Sequence, residues 1–446
     1  MNRGKITKGI GAGMALIGAA GFSGSAMAGN AASKPVKVAV VTFLTGPASS
    51  VFGLPSKRGA EVMVKAINKG IVPAPYGSEG FGGHKVVAKY VNEAGGNSQQ
   101  VQNYKNLVEK DHEDVILGYL SSGSCKAIAP LSDQLDELTV LASCGTPDVF
   151  NKHHPYIFRT MSDETADSVA AARYVQDKFP HLESFTGFNQ NYSWGHESWN
   201  QFSLAMKDLM PNVKKGKNPQ FARFLSGHYS SQISSLLLSN AKLVQTSAWG
   251  GDLTSFLNQG RMRGLFQKKK VLMTSASTVY YQMGKGMPNG VIIGVRGPYG
   301  ILGRHIKTPL NKWFIHEYKE EFGKYPPSAA YMYAQAMLAT KVAYDKAAGQ
   351  SGQKKVPTTK AVASAFTGLK FKSFTTEVDF RNANGHQAVT KDGYGITHWN
   401  KSTGRPDVKD VVFFSAGCVN APPGVNSIKW LKEGMPGATC KNSGSN

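Results

Sequence analysis

LGYLSSGSCKAIAPLSDQLDELTVLASCGTPDVF, residues 117–150, decides how the rest of the chain is read. An apolar run ends at Ile116, Leu117, Gly118 and Tyr119, hydroxyls follow at Ser121, Ser122 and Ser124, and a helix is expected from about Cys125 to Leu138 before Thr139, Val140, Leu141 and Ala142 form a strand. The two strands would be parallel and would end side by side. Each is followed by a loop of small polar residues at the carboxyl edge of the sheet, where open α/β folds bind ligands. The first loop also opens a helix, whose unpaired N–H groups and dipole suit a carboxylate or phosphate. The alternative is that the serines only cap that helix.

Strand and helix patterns alternate outward from this point. VKVAVVTF (36–43) is a buried-type strand, followed by a glycine-punctuated loop and a helix with Ala60, Met63, Val64 and Ile67 on one face. A second strand (85–91) and a helix (99–111) lead into the quoted stretch. After His153, His154 and Pro155 the pattern restarts. Ser162 or Asp163 caps a helix, the strand 184–189 runs into Gln190, Asn191, Tyr192, Ser193, Trp194 and Gly195, and Trp199, Phe202, Met206 and Leu209 make a core stripe on the next helix. Strand 243–248 ends at Trp249, Gly250, Gly251 and Asp252, and strand 271–274 ends at Ser275, Ala276 and Ser277. Such alternation predicts an α/β fold of two doubly wound parallel-sheet lobes with a cleft between them. The expected boundaries are a signal peptide at 1–28, lobe one at 35–158 plus 297–355, lobe two at 159–296 plus 356–415, and a tail at 416–446 pinned by its own disulfide.

The chain has 446 residues, 41% hydrophobic and 18% charged, which suits a folded two-lobed protein. Arg3, Lys5 and Lys8 precede an apolar run (10–22), and Ala26, Met27 and Ala28 offer a signal-peptidase site, so cleavage after Ala28 and export to the periplasm are expected. No Cys stands there to carry a lipid anchor. The glycines at 9, 11 and 13 belong to this segment and not to a dinucleotide loop, because no strand precedes them. The net charge of +22 is spread along the chain, with Lys268, Lys269 and Lys270 the only triplet, and no nucleic-acid motif accompanies it. A basic surface that steers anions toward a cleft fits this balance.

Four cysteines in an oxidising compartment predict two disulfides, Cys125–Cys144 across the two loops and Cys418–Cys440 in the tail. Zinc is the rival, but neither CxxC nor HExxH occurs, and His153 and His154 lack further ligands at metal spacing. No cofactor is expected. A serine hydrolase would need G-x-S-x-G where the sequence has Gly118, Tyr119, Leu120, Ser121, Ser122 and Gly123, so the chain is not expected to be an enzyme.

VKVAVVTFLTGP, RGAEVMVKAIN, SSGSC and CGT, in this order and spacing, resemble the type I periplasmic solute-binding proteins of ABC importers, on the branch of the leucine/isoleucine/valine-binding protein. The similarity runs from about Val36 to Phe414. It implies a monomer whose two lobes, joined by three hinge crossings, close on a solute and present it to an inner-membrane permease; the same module also serves as the ligand-binding part of periplasmic sensors. It further implies that Ser121 and Ser122 hold the solute's carboxylate and that Cys144, Gly145 and Thr146 contact it. Phe52, Trp194 and Trp249 would flank it. The resemblance places an ammonium-binding acid near Ala276, but none lies in residues 274–281. Asp252 is either its substitute or a helix cap. Burying an unpaired ammonium is costly, so the expected solute is a carboxylate or amide with a bulky hydrophobic part.

Overall fold

The computed structural model describes residues 34–351 and 355–440; the signal segment expected at 1–28 lies outside them. Apolar runs buried on both faces make the first strands. The chain begins β1 (Val36–Thr42), α1 (Leu54–Lys69), β2 (Val86–Asn92), α2 (Gly96–Glu109), β3 (Val115–Gly118), α3 (Ser122–Gln134), β4 (Thr139–Leu141) and β5 (Ile157–Arg159). These strands are parallel in the order β5-β4-β3-β1-β2, and β3 pairs with β4 through Ile116–Thr139, Leu117–Val140 and Gly118–Leu141.

The chain then builds a second sheet. It runs through α4 (Glu164–Lys178), β6 (Ser184–Gln190), α5 (Ser193–Leu209), β7 (Lys214–Lys215), β8 (Gln220–Ala222), α6 (Ser230–Leu238), β9 (Leu243–Thr246), α7 (Gly250–Met262), α8 (Leu265–Lys268), β10 (Lys270–Met273), α9 (Tyr280–Met283) and β11 (Ile292–Ile293). It returns to the first lobe with α10 (Pro309–Phe322) and α11 (Ser328–Ser351), and α11 packs along α1. Gly59 permits that approach, because a β-carbon there would lie 2.2 Å from the Ala330 carbonyl oxygen.

The expected boundary of the second lobe is corrected at this point. Residues 356–389 stay with the first lobe, as α12 (Thr359–Phe366), β12 (Lys370–Lys372), β13 (Glu377–Asn382) and β14 (Gln387–Val389), which extend the first sheet from β5. Phe366 stacks on Phe158 with centroids 4.8 Å apart and Phe380 meets it edge-on, while Arg159 Nε donates to Gln387 Oε1 at 2.6 Å. This apolar contact under β5 decides where the segment goes. Only at β15 (Asp392–Asn400) and β16 (Arg405–Phe414) does the chain rejoin the second sheet, whose order is β16-β15-β11-β10-β9-β6-β7 with β8 beside β6. Three crossings therefore join two α/β lobes.

The C-terminal segment is folded onto the second lobe. Its α13 (Ala416–Val419) and α14 (Ser427–Lys432) pack on α4 and α5, and Trp430 is fully buried with its indole N–H on the Pro436 carbonyl. Both disulfides, Cys125–Cys144 and Cys418–Cys440, are formed. Among the described residues no helix is long and apolar enough to cross a membrane.

Candidate functional site

The two polar loops of the first lobe meet at the carboxyl ends of β3 and β4. Ser121 is the cap residue of α3, its hydroxyl accepting from the Ser124 N–H at 3.4 Å, and Ser122 is the buried first residue of that helix. Cys125 in the first helical turn is bridged to Cys144 in the second loop, and the Cys144 N–H donates to the Tyr119 carbonyl at 3.0 Å. Thr146 caps a short turn by accepting from the Asp148 N–H. Beneath both, Arg159 Nη1 donates to the carbonyls of Cys144 (3.2 Å) and Thr146 (2.6 Å), so the second loop is held from behind. Ser121, Ser122, Cys144, Gly145 and Thr146 thus share one edge of one lobe.

An unforeseen side chain sits in the first loop. Glu93, at the end of β2, accepts from the N–H groups of Leu120 (2.8 Å to Oε2) and Ser121 (2.8 Å to Oε1) and is almost completely buried. Burial pushes its carboxyl up to about 8 against the opposing pull of those N–H bonds. The protein's own carboxyl group therefore takes N–H donors at the spot expected to receive a solute's.

The second lobe contributes rings. Trp194, in the first turn of α5, donates from Nε1 to the Ser247 carbonyl at 2.9 Å, and Ser247 is itself fixed by Asn189 Oδ1. Trp249 immediately precedes α7, donates to the Tyr192 hydroxyl at 2.7 Å, and lies 5.8 Å and 6.5 Å by ring centroids from Phe43 and Phe52 of the first lobe. Phe224 completes this cluster at 5.5 Å. The lobes are consequently closed on each other: Trp194 and Trp249 are each only 4% exposed.

Two further candidates are placed differently. Ala276 turns into the apolar core of the second lobe, and Thr274, Ser275 and Thr278 face the cleft from that turn instead. Asp252 does not cap α7 by accepting its backbone. Its carboxylate accepts from Gln190 Nε2 and the Leu225 N–H, both at 2.7 Å, from the Gly227 N–H, and from the Tyr229 hydroxyl. Four internal donors commit it to holding the 223–229 loop.

The cleft between the lobes has two parts. The outer one is a cavity of about 470 Å³ bounded by Phe43, Ala48, Glu93, Ser121, Tyr192 and Phe224, within the range of small-molecule pockets. The inner one, about 20 Å³, is nearly filled by Phe52, Trp194, Trp249 and Arg296. Arg296 follows β11; its guanidinium lies 4.9 Å from the Trp194 ring centroid and Nη2 donates to the Ser143 carbonyl of the opposite lobe. Sequence reasoning passed over Glu93, Tyr192 and Arg296 as site residues, although all three stand at the carboxyl ends of strands, the same signal that singled out the serines and tryptophans. Among the described residues no group of three His, Cys, Asp or Glu is placed to hold a metal ion, and His154 instead pairs with Asp133 at 2.6 Å.

Comparison with known proteins agrees with this architecture. The leucine-specific-binding protein of Salmonella typhimurium is 22% identical over 320 residues, which cover 70% of this chain and 79% of that protein. Among solved structures, an ABC-transporter solute-binding protein from Rhodopseudomonas palustris in complex with 3,4-dihydroxybenzoic acid superposes with a TM-score of 0.72 at 16% identity, covering 86% of this chain and 98% of that one. Another from R. palustris, in complex with benzoate, gives 0.69 at 14% identity over 85% and 96% of the two chains. A leucine-binding protein from Thermotoga maritima gives 0.69 at 17% identity over 84% and 98%. The family model described as periplasmic binding protein matches residues 35–404. With so much of its length inside that match, the chain belongs to the periplasmic binding protein family, which holds solutes and does not transform them.

Proposed function

We propose that this protein captures a carboxylate- or amide-bearing solute with an aromatic or bulky hydrophobic body and delivers it to the permease of an ABC importer. The observation that carries the reading is the composition of the inner cleft: four aromatic walls, Phe52, Tyr192, Trp194 and Trp249, and no carboxylate on the second-lobe turn at 274–278. An amino acid's ammonium would be desolvated there without a partner, which is costly. Asp252 supplies none, because internal donors occupy it. Rings at the inner end and hydroxyls at the outer end instead suit a flat acid. The names of the relatives span both possibilities, leucine and benzoate-type acids, and the chemistry of the cleft supports the second.

Mechanism follows from the two lobes. In the open form the solute would settle against the loops carrying Ser121, Ser122, Cys144, Gly145 and Thr146, and closure would bring Trp194 and Trp249 over it. Removal of apolar surface from water contributes about 25 cal/mol per Å² to closure. The solute shifts an open–closed equilibrium, and the permease recognises the closed shape. The reading includes export of a monomer by the segment 1–28.

Thermal-shift screening over amino acids, amides and aromatic acids, followed by calorimetry, tests this. Benzoate-type acids should give heat and saturate. Micromolar leucine binding with no heat from any aromatic acid would overturn the reading.

A further inference from the structure

Arg296 occupies the inner cleft with one guanidinium nitrogen unpartnered among the described residues. Its backbone is left-handed, φ 46°, and its guanidinium lies over the Trp194 ring. It is 7% exposed. Nη2 donates to a neutral acceptor, the Ser143 carbonyl, while Nη1 has no hydrogen-bond partner among the described residues. A buried guanidinium N–H without an acceptor is a costly arrangement in a stable core.

Three acids lie near, each with a buried oxygen that no hydrogen bond reaches among the described residues: Glu164 Oε1 and Oε2, Asp167 Oδ2 and Asp392 Oδ2. Asp167 accepts from the backbone N–H of Arg296 and from the Tyr394 hydroxyl, and Asp392 accepts from the N–H groups of Gly297 and Gly393. Glu164 is fully buried, and burial first, then Asp167, holds its carboxyl well above the usual range. None hydrogen-bonds to the guanidinium. On the cleft side the neighbours are Leu120, Tyr192, Thr274, Ser275 and Thr278, with no carboxylate among them. Meanwhile the N–H groups of Leu120 and Ser121, at the loop after β3, already serve Glu93.

We propose that Arg296 is the residue that reads the solute's carboxylate. In the loaded cleft the carboxylate takes Nη1 and replaces the Ser143 carbonyl on Nη2, making a two-bond fork, while the aromatic body lies against Trp194, Trp249 and Phe52. A planar guanidinium matches a carboxylate in this way, and the charged acceptor is stronger than the carbonyl it displaces. The inference rests on the reading that the solute is an aromatic acid or its amide, and it narrows that class to the anion.

Calorimetry with benzoate and with benzamide, its uncharged counterpart of nearly equal shape, separates the two claims. Wild-type protein should prefer benzoate by about 10- to 100-fold, the range for hydrogen bonds to charged groups. Arg296→Gln should reduce that preference to within about threefold by the same loss. Arg296→Lys, which keeps the charge without the fork, should fall between. Equal affinity of wild-type protein for benzoate and benzamide overturns the inference even if neither variant folds. So does a preference that survives in Arg296→Gln and disappears in Ser121→Ala, which would return the carboxylate to the serine loop. Binding of leucine with neither benzoate nor benzamide bound would instead refute the functional reading on which the inference stands.

Discussion

Gly145→Ala measures how closely the lobes approach. Gly145 lies in the second loop of the first lobe, and a β-carbon built there falls 2.4 Å from Cζ3 of Trp194 and 2.6 Å from Nη1 of Arg296, both from the opposite lobe. Comfortable contact is about 3.5–4 Å. Neither neighbour is a loose end, because the indole is pinned to the Ser247 carbonyl and the guanidinium to the Ser143 carbonyl. Overpacking of this kind costs about 1–3 kcal/mol. The cost falls on the closed arrangement alone, since the nearest atoms to the added carbon all belong to those two side chains. Closing would then be disfavoured by about 5- to 150-fold. Small-angle scattering of Gly145→Ala should show a larger radius of gyration than wild type, and calorimetry a matching loss of benzoate affinity, with the thermal midpoint little changed. Adding Trp194→Ala removes one of the two clashes and should restore part of the closure. An unaltered radius together with unaltered affinity would refute the account of how these lobes meet.

Three other outcomes are expected. Burial lifts the Glu93 carboxyl from 4.5 to about 8, so the folded chain keeps a proton that the unfolded chain has released. Stability should therefore fall as pH rises through that window, by at most about 5 kcal/mol from this group, and Glu93→Gln should flatten the difference between urea melts at about pH 5 and about pH 8; an unchanged difference would assign the slope to other acids. Trp430→Ala removes a fully buried side chain of the C-terminal segment and should cost about 3–5 kcal/mol in denaturant unfolding, whereas a loosely attached tail would show no loss. Replacing both Cys418 and Cys440 with Ser opens a loop whose ends are 22 residues apart and should lower stability by about 3 kcal/mol, read by the same melts without dithiothreitol.

The lobes were legible because buried parallel strands announce themselves: VKVAVVT and VILG are apolar runs ended by small polar residues, and such loops gather at one edge by the geometry of the fold. The partners of those loops were not legible in the same way. Glu93 follows a strand, β2, whose burial alternates, and nothing local tells that its carboxyl folds inward to Leu120 and Ser121. Strand β13 was ambiguous for a different reason. Val378 and Phe380 alternate with Glu377, Asp379 and Arg381, a pattern either lobe could accept, and only the rings of Phe158 and Phe366 settle which one does. The C-terminal segment lacked periodicity because α14 has six residues, too few to display a stripe, although Val419, Trp430 and Leu431 are fully buried and anchor it.

Charge ties the cleft together. A carboxylate solute needs donors that are not already spent, and the backbone donors at the end of β3 are spent on Glu93, whose buried carboxyl would repel a second anion whenever ionised. The same lobe edge still offers hydroxyls and a disulfide-braced shape, so it can seat a body without neutralising its charge. Neutralisation then falls to the only cation lining the inner pocket among the described residues, and Arg296 stands over the indole that closes on the solute. An ammonium-bearing solute brought to the same place would meet that guanidinium in a pocket whose lining carries no carboxylate among the described residues. The proposed preference for an acid over an amino acid therefore rests on one arrangement of charges, made by residues that the serine loop alone would never have disclosed.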